Sequence, residues 1–177
     1  MAMTERFAFQ DARRVLEGTP VVLNALLRPL RSELLHVNEG EGTWSPFQVL
    51  CHLASGETHD WVPRVRRILK NGTSEPFEPF DRVAGFTTYA GWTVPRLLDE
   101  IADLRSASLA QIDGLALRHE QLLLEGRHPA FGPVTLEQLL ATWVTHDFAH
   151  LVQINRVLAR HYGQFVGPWR EDFSLLR

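Results

Sequence analysis

Two histidines, His146 and His150, lie four residues apart, a spacing that suggests metal binding. In an α-helix this spacing separates two side chains by about 40° around the axis and one turn along it, so both imidazoles can reach one ion. The same helical face continues with mostly apolar residues: Leu139, Trp143, Gln153 and Val157. The pattern predicts that the pair points inward, where a metal ion would satisfy the nitrogen acceptors of both buried rings. On spacing alone, a histidine pair without a metal is an equally good interpretation.

A third ligand is needed, because catalytic transition-metal sites typically have three protein ligands and a position for water or substrate. His52 is the candidate, since the small residues Ser55 and Gly56 lie beside it on a second helical segment and leave space over an ion. His59 lies one repeat further along that face and is a weaker, fourth candidate. Taken alone, a single histidine such as His52 is more often a hydrogen-bonded core residue.

Other metal-site classes fit the sequence poorly. Because Cys51 is the single cysteine, an intramolecular disulfide and multi-cysteine metal sites are excluded. Cys51 is interpreted as a small, buried apolar residue. The segment from His146 to His150 resembles the zinc-protease helix with Asp147 in place of the glutamate base, but the third ligand on the protease spacing is missing. A di-iron carboxylate bundle uses Glu-x-x-His pairs, and neither His52 nor the later pair follows a glutamate at that spacing.

Length and composition predict one globular domain spanning residues 1–177, with 45% apolar and 22% charged residues. The net charge of −3 provides no positive field for a phosphate backbone, so nucleic acid is not an expected partner. No apolar run reaches the roughly 20 residues of a membrane span, and residues 1–15 lack the apolar centre of a secretory signal. A cytoplasmic protein without a membrane partner is therefore expected. The basic run is interpreted as a solvated helix face: Arg64, Arg66, Arg67 and Lys70.

Four stretches with helical periodicity predict an all-α fold, a four-helix bundle with long crossover connections. They are expected to run from Phe9 to about Arg28 with a restart at Thr19-Pro20, from Pro46 to about Lys70, from Val94 to about Leu117, and from Leu136 to about His161. Ser45 and Thr135, each followed by glutamine three residues later, predict capping boxes. Pro63 predicts a kink in the second helix. The links over 71–92 and 126–133 are expected to lack regular elements.

Two acidic residues lie near the candidate ligands in sequence but not on their helical faces. Glu57 is about 140° around the helix from His52, and Asp147 is about 100° from His146, so neither is expected to bind the ion. One interpretation is that these carboxylates orient a histidine ring. The favoured interpretation is that they are solvated at the surface or cap a helix.

These residues together resemble the DinB-like superfamily, the damage-inducible and YfiT-type helical bundles. The matching segments come in the family's order and spacing: Trp44-Ser45-Pro46 through His52-Leu53, Gly56-Glu57, Asp60-Trp61, the proline-rich stretch around Phe77 to Phe80, and His146-Asp147-x-x-His150-x-x-Gln153-Ile154. The resemblance covers nearly the whole chain. It implies a DinB/YfiT-like bundle that binds one divalent transition metal, nickel, zinc or iron, through His52, His146 and His150.

What the resemblance implies about function is a metal-dependent enzyme of the thiol S-transferase type, acting on a small-molecule substrate. The better understood branches use low-molecular-weight thiols such as bacillithiol or mycothiol, or isomerise maleylpyruvate, so a thiol cosubstrate and a metal-activated thiolate or water are implied. A non-catalytic metal-containing bundle, acting as a stress-related binding or scaffold protein, is the alternative. A homodimer is also implied. No catalytic residue is assigned, and Arg66, Arg156 and the loop at Asp81-Arg82 are candidate pocket neighbours without a role.

Overall fold

The computed structural model describes residues 7–176, and in this range the chain is mainly helical. The helices are α1 (Phe9–Leu27), α2 (Ser32–Leu35), α3 (Pro46–His59), α4 (Trp61–Asn71), α5 (Ala84–Thr88), α6 (Val94–Gly114) and α7 (Leu136–Gly163). A two-stranded antiparallel hairpin, β1 (Glu125–His128) and β2 (Gly132–Thr135), precedes α7, and 3₁₀ turns cover His119–Leu123, Gly167–Asp172 and Ser174–Leu176. Residues 1–6, which begin the segment predicted to lack a secretory signal, lie outside the described range.

The long helices form a four-helix bundle, with α3 and α4 together as one of its four members. Helix α1 packs against α6 and α7, and α3 packs against the same two helices. The connections from α1 to α3 and from α6 to α7 therefore cross the bundle instead of joining packed neighbours. This arrangement confirms the predicted all-α bundle with crossover connections. Within residues 7–176, no helix combines the length and the apolar character that a membrane span requires.

The two helices that carry the candidate ligands begin at the predicted capping boxes. The Ser45 hydroxyl accepts from the Gln48 N–H at 3.3 Å, and the Gln48 side chain accepts from the Ser45 N–H at 3.0 Å. Thr135 and Gln138 make the equivalent pair at 3.2 and 2.9 Å. Each box satisfies two backbone donors that a helix start leaves free, so the starts of α3 and α7 are determined locally.

The predicted restart at Thr19-Pro20 is wrong, because α1 continues through both residues. The Thr19 hydroxyl donates to the carbonyl of Val15 instead of capping a new helix. Pro20 has no N–H for the Leu16 carbonyl four residues earlier, which would leave that acceptor free. Arg105 of α6 donates to this oxygen at 2.7 Å. A side chain from another helix thus replaces the missing backbone hydrogen bond and allows α1 to continue.

The second predicted helix is divided at Asp60, whose φ and ψ are −113° and −68°. Pro63, in the first turn of α4, cannot donate to the carbonyl of His59, so the α-helical hydrogen-bond ladder is interrupted there. The kink expected from Pro63 is confirmed as a break between α3 and α4. Its consequence for the site is that α4 can follow a direction different from that of the helix carrying His52.

Both long connections contain elements that the sequence analysis did not predict. Helix α5 lies within 71–92, and β1 pairs with β2 in a register that places Glu125 opposite Thr135. Each strand has only four residues, too few to show a persistent alternation of apolar and polar positions. The Phe77 N–H donates to the Arg127 carbonyl at 2.8 Å, which joins the first connection to the hairpin.

Two buried apolar clusters fill the bundle, and polar residues lie between them. One cluster surrounds α3 and the first half of α6, and the other surrounds α4 and the second half of α6. On α7 the boundary falls between Trp143 and Ile154, which is where His146 and His150 lie. On α6 it falls at Arg105. The candidate site is therefore part of a polar layer within an otherwise apolar core.

Gly85 lets α5 lie directly on α3, and we expect Gly85→Ala to destabilise the protein. An added Cβ would collide with the carbonyl oxygen of Cys51 and lie 3.1 Å from the Ser55 Cβ. Because helix backbone cannot yield as a flexible side chain can, the free energy of unfolding in urea should fall by about 1–3 kcal/mol. Gly18→Ala in α1 is the matched control: a Cβ there has open space, so stability should rise by about 0.5–1 kcal/mol. Similar effects of the two substitutions would contradict this close contact.

Candidate metal centre

The structure brings the three sequence-predicted ligands together. Nε2 of His146 lies 2.9 Å from Nε2 of His52 and 3.1 Å from Nε2 of His150. His52 comes from α3 and the other two from α7, so the cluster links two packed helices. The exposed fractions of His52 and His150 are only 2% and 7%. His59, the weaker candidate, is exposed and lies outside the cluster.

Oxygen acceptors fix the orientation of two of the rings. Nδ1–H of His52 donates to the Arg82 carbonyl at 3.0 Å, and Nδ1–H of His150 donates to Oε1 of Gln153 at 2.9 Å. Each neutral ring therefore carries its proton on Nδ1 and directs the Nε2 lone pair at His146. Metal-binding histidines commonly have such a partner on the far nitrogen, because it holds both the tautomer and the ring in place.

The His146 ring cannot satisfy these contacts by itself. A neutral imidazole has one N–H. If the proton of His146 is on Nε2, it can be donated to only one of the two close nitrogens. If the proton is on Nδ1, the lone pairs of all three Nε2 atoms point at one another. In addition, Nδ1 of His146 is buried and has no hydrogen-bond partner among the described residues. A cation between the three Nε2 atoms would remove the repulsion between lone pairs. The donor set therefore fits a transition-metal ion that accepts imidazole ligands.

Burial keeps the three imidazoles in the form that binds metals. Desolvation lowers the pKa of His52 to about 4 and the pKa of His146 to about 2. It also lowers the pKa of His150, with the Gln153 hydrogen bond and the Asp147 carboxylate acting in the opposite direction. Neutral imidazole is the ligating species, so the lone pairs are available at neutral pH without a proton having to leave.

Tryptophan rings enclose the cluster on two sides. Trp44, which precedes α3, lies with its ring centroid 5.0 Å from that of His52 and stacks on His150 at 6.2 Å. Trp61, the first residue of α4, meets His146 edge-on at 5.1 Å. These contacts restrict the rotation of all three imidazoles and exclude water from their flanks. A charge placed at the cluster would consequently be screened less than one at the surface.

A buried ionic network lies next to the histidines within the same polar layer. Arg105 of α6 contacts Glu57 of α3 at 2.8 Å and Asp147 of α7 at 2.7 Å, and the three side chains are 3%, 1% and 0% exposed. The Trp143 indole N–H also donates to Glu57, at 3.3 Å. Burial lowers the pKa of Arg105, but the two carboxylates together outweigh it and raise this pKa above its usual value. With its bond to the Leu16 carbonyl, the arginine connects all four members of the bundle.

A pocket of about 560 Å³ opens onto His52 and His146. Its walls come mainly from α7, the 71–92 connection and the hairpin, with a smaller contribution from the start of α4. The apolar side chains of the lining include Trp61, Phe77, Phe80, Phe131, Val134 and Leu139. Polar lining groups are few, and they include Asp60, Arg64, Arg82 and His128. A concave, mostly apolar site with a few convergent polar groups is typical of small-molecule binding.

Most of the chain matches a known family. The family model of the DinB superfamily matches residues 16–154. The chain belongs to the DinB superfamily. Among solved structures, this DinB-superfamily chain is similar to YfiT from Bacillus subtilis, described as "a probable metal-dependent hydrolase with an unusual four-helix bundle topology", with 22% identity and a TM-score of 0.74 over 92% of this chain and 94% of YfiT. It is also similar to TT2238, described as a four-helix bundle protein, with 24% identity and a TM-score of 0.53 over 81% and 95% of the two chains. No match was found among curated proteins.

One residue of the basic run belongs to the pocket of this DinB-superfamily chain, contrary to the prediction of a solvated face. The Arg64 side chain is only 13% exposed, contacts Asp60 at 2.6 Å and lies over the Phe77 ring at 5.2 Å. Asp60, at the break between α3 and α4, is buried, and desolvation raises its pKa while Arg64 opposes this shift. Arg66 and Arg67 bond exposed groups on the outer face, as expected. The ion pair with Asp60, at the break between α3 and α4, holds the Arg64 side chain at the pocket wall.

The interpretation of Glu57 and Asp147 as solvated or capping residues was also wrong. Both carboxylates point away from the histidines, as the helical angles require, but α6 covers that side and supplies Arg105. The sequence contained a signal for this partner. Arg105 follows Ile101 and precedes Leu109 by four residues each, so it occupies a position in the apolar stripe of α6. A charged residue at such a position requires buried partners of opposite charge.

Proposed function

We propose that this DinB-superfamily protein is a metal-dependent enzyme in which His52, His146 and His150 hold one divalent ion of nickel, zinc or iron. The observation that carries the proposal is the convergence of three imidazole nitrogens beside a pocket of small-molecule size. Sites with three protein ligands keep a position for water or substrate, whereas structural sites are closed. When bound, such an ion lowers the pKa of a coordinated water or thiol and so provides a nucleophile at neutral pH.

The reaction we propose is transfer of an external low-molecular-weight thiol to a small electrophile. The protein's own thiol is unsuited to the role: Cys51 is fully buried, and desolvation raises its pKa to about 11. A thiolate nucleophile must therefore come from a cosubstrate. Its sulfur would bond to the electrophilic carbon while the leaving group departs with the electron pair of the broken bond, and the thiol proton would pass to solvent. The apolar pocket walls suit the electrophile.

Hydrolysis is the second candidate, favoured by the description of YfiT as a probable metal-dependent hydrolase. The same three histidines and the same pocket would serve a water nucleophile. A scaffold whose metal only joins α3 to α7 is the non-catalytic alternative. The pocket that opens onto His52 and His146 favours an enzyme, because a purely structural ion needs no access for small molecules.

Metal loading tests the first part of the proposal. Protein purified without chelator is expected to contain one ion per chain by elemental analysis. Its melting temperature should fall after dialysis against a chelator and recover on addition of nickel or zinc, because an ion that binds only the folded state stabilises it. A metal-free preparation whose melting temperature is indifferent to added ions would contradict the metal site.

Activity assays with the metal-loaded protein separate the candidate reactions. Conjugation of monochlorobimane with a panel of low-molecular-weight thiols is expected, with the chelator-treated protein as the control. Turnover of simple esters without a thiol would instead support hydrolysis. Metal-bound protein that is inactive in both assays would support the scaffold. The homodimer implied by the family resemblance stays a prediction, which sedimentation velocity can check.

A further inference from the structure

Arg82 is an exposed residue of the pocket lining, and its positive charge has no carboxylate partner among the described residues. Its guanidinium carbon lies 5.5 Å from the centre of the Trp44 ring, and no described acidic residue pairs with it. The backbone carbonyl of the same residue accepts from His52, which anchors this part of the chain at the site.

The other charges of the pocket lining cancel each other. Asp60 and Arg64 form a close ion pair on the wall formed by the start of α4. The remaining lining residues are neutral, apart from Arg82 itself. The lining therefore has one excess positive charge before any metal ion is counted. An ion held by the three histidines would add to this positive potential, because imidazole ligands contribute no negative charge.

A neutral hydrogen-bond donor faces the pocket from the hairpin. Nδ1 of His128 accepts from the backbone N–H groups of Ala130 and Phe131 at 3.1 and 3.2 Å, so the proton of the neutral ring is on Nε2. The ring stacks on that of Phe131 with centroids 4.4 Å apart, which holds it against the wall. The uncompensated polar groups of Arg82 and His128 are thus both donors, while the walls between them are largely aromatic.

From this combination we infer that the pocket selects organic anions, small molecules with an apolar body and a carboxylate or similar oxyanion that pairs with Arg82. The inference rests on the proposed function, since it names the substrate class of the same site. The aromatic walls would take the body of the ligand, and the guanidinium would supply a charge-assisted hydrogen bond to the oxyanion. The same excess charge disfavours cationic ligands.

A matched pair of ligands tests the inference on zinc-loaded protein. Phenylbutyrate and phenylbutanamide have the same apolar body, and only the first is charged. By isothermal titration calorimetry, the wild type is expected to bind the acid at least about tenfold more tightly than the amide, because hydrogen bonds to charged groups are the stronger ones. Arg82→Met should bring the two affinities to within about threefold of each other while the zinc content stays unchanged, because it leaves every metal ligand in place.

The control variant is Arg96→Met, because Arg96 also lies over a tryptophan, Trp92, at 3.5 Å, but does not line the pocket. It removes the same charge and should keep the preference for the acid. Equal binding of acid and amide by the wild type, no binding of either, or a preference that survives Arg82→Met would each overturn the inference. Repeating the titrations on chelator-treated protein separates this outcome from the proposed function: a preference that depends on Arg82 without zinc supports the anion site even when no metal-dependent turnover is found.

Discussion

Replacing His146 with alanine should abolish tight metal binding. Its Nε2 lies between the other two ring nitrogens, at 2.9 and 3.1 Å, so its loss leaves one ligand on each of two helices. Loss of a group that only orients a ligand already costs 10- to 100-fold in metal affinity, so loss of the central ligand should exceed about 100-fold. Competition with a metal-binding dye measures this change for zinc or nickel. The gain in melting temperature on metal addition should also disappear.

His59→Ala is the matched control for that experiment. It removes the same atoms from the helix that carries His52, but its ring is exposed and outside the cluster. Zinc affinity and melting temperature should stay close to the wild-type values. A variant lacking His146 that keeps stoichiometric zinc, or a His59 variant that loses it, would show that the ion is bound elsewhere. Circular dichroism of both variants checks that the helical content is retained.

Replacing Arg105 with methionine should destabilise the protein more than Gly85→Ala does. The substitution keeps a long apolar stem but leaves Glu57 and Asp147 buried without their cation and removes the donor to the Leu16 carbonyl. Breaking a buried ion pair by removing one partner typically costs about 3–5 kcal/mol, because the remaining charge is uncompensated. Urea denaturation should show this loss in the free energy of unfolding.

Arg13→Met provides the control for Arg105, because Arg13 also contacts two carboxylates, Asp113 and Glu17. Its pairs are exposed to solvent, so the loss of stability should be much smaller than for Arg105. Adding Glu57→Gln and Asp147→Asn to the Arg105→Met variant should recover part of the stability, since both uncompensated charges are then gone. Equal losses for the two arginine variants, or no recovery in the triple variant, would contradict the role assigned to the buried network.

Local sequence information was sufficient to predict where the helices carrying the candidate ligands begin. The capping boxes at Ser45 and Thr135 involve residues three positions apart, so spacing alone predicts them, and both are present. The i, i+4 relation of His146 and His150 is equally local, and the helix holds it whatever surrounds it. The interpretation of Cys51 as a buried hydrophobe is also confirmed. Each of these predictions needs only residues that are close together in one helix.

The sequence could not choose between His52 and His59 by helical geometry, since they lie seven residues apart on nearly the same face. The family resemblance favoured His52, and the structure brings that residue to α7 while His59 is exposed beside the break at Asp60. The sequence likewise could not predict that α1 is continuous. It depends on Arg105 reaching the Leu16 carbonyl, a contact across 89 positions of the chain.

The sequence by itself therefore determined four helical stretches and the residues able to bind an ion, because helical periodicity, capping and the His-x-x-x-His spacing are local properties. The tertiary structure decided which histidine completes the cluster, which cation neutralises Glu57 and Asp147, and where the pocket lies. Those features arise where the broken second helix, the hairpin and the 71–92 connection come together with α7. These features depend on contacts between residues that are distant in the chain, and local spacing does not predict such contacts.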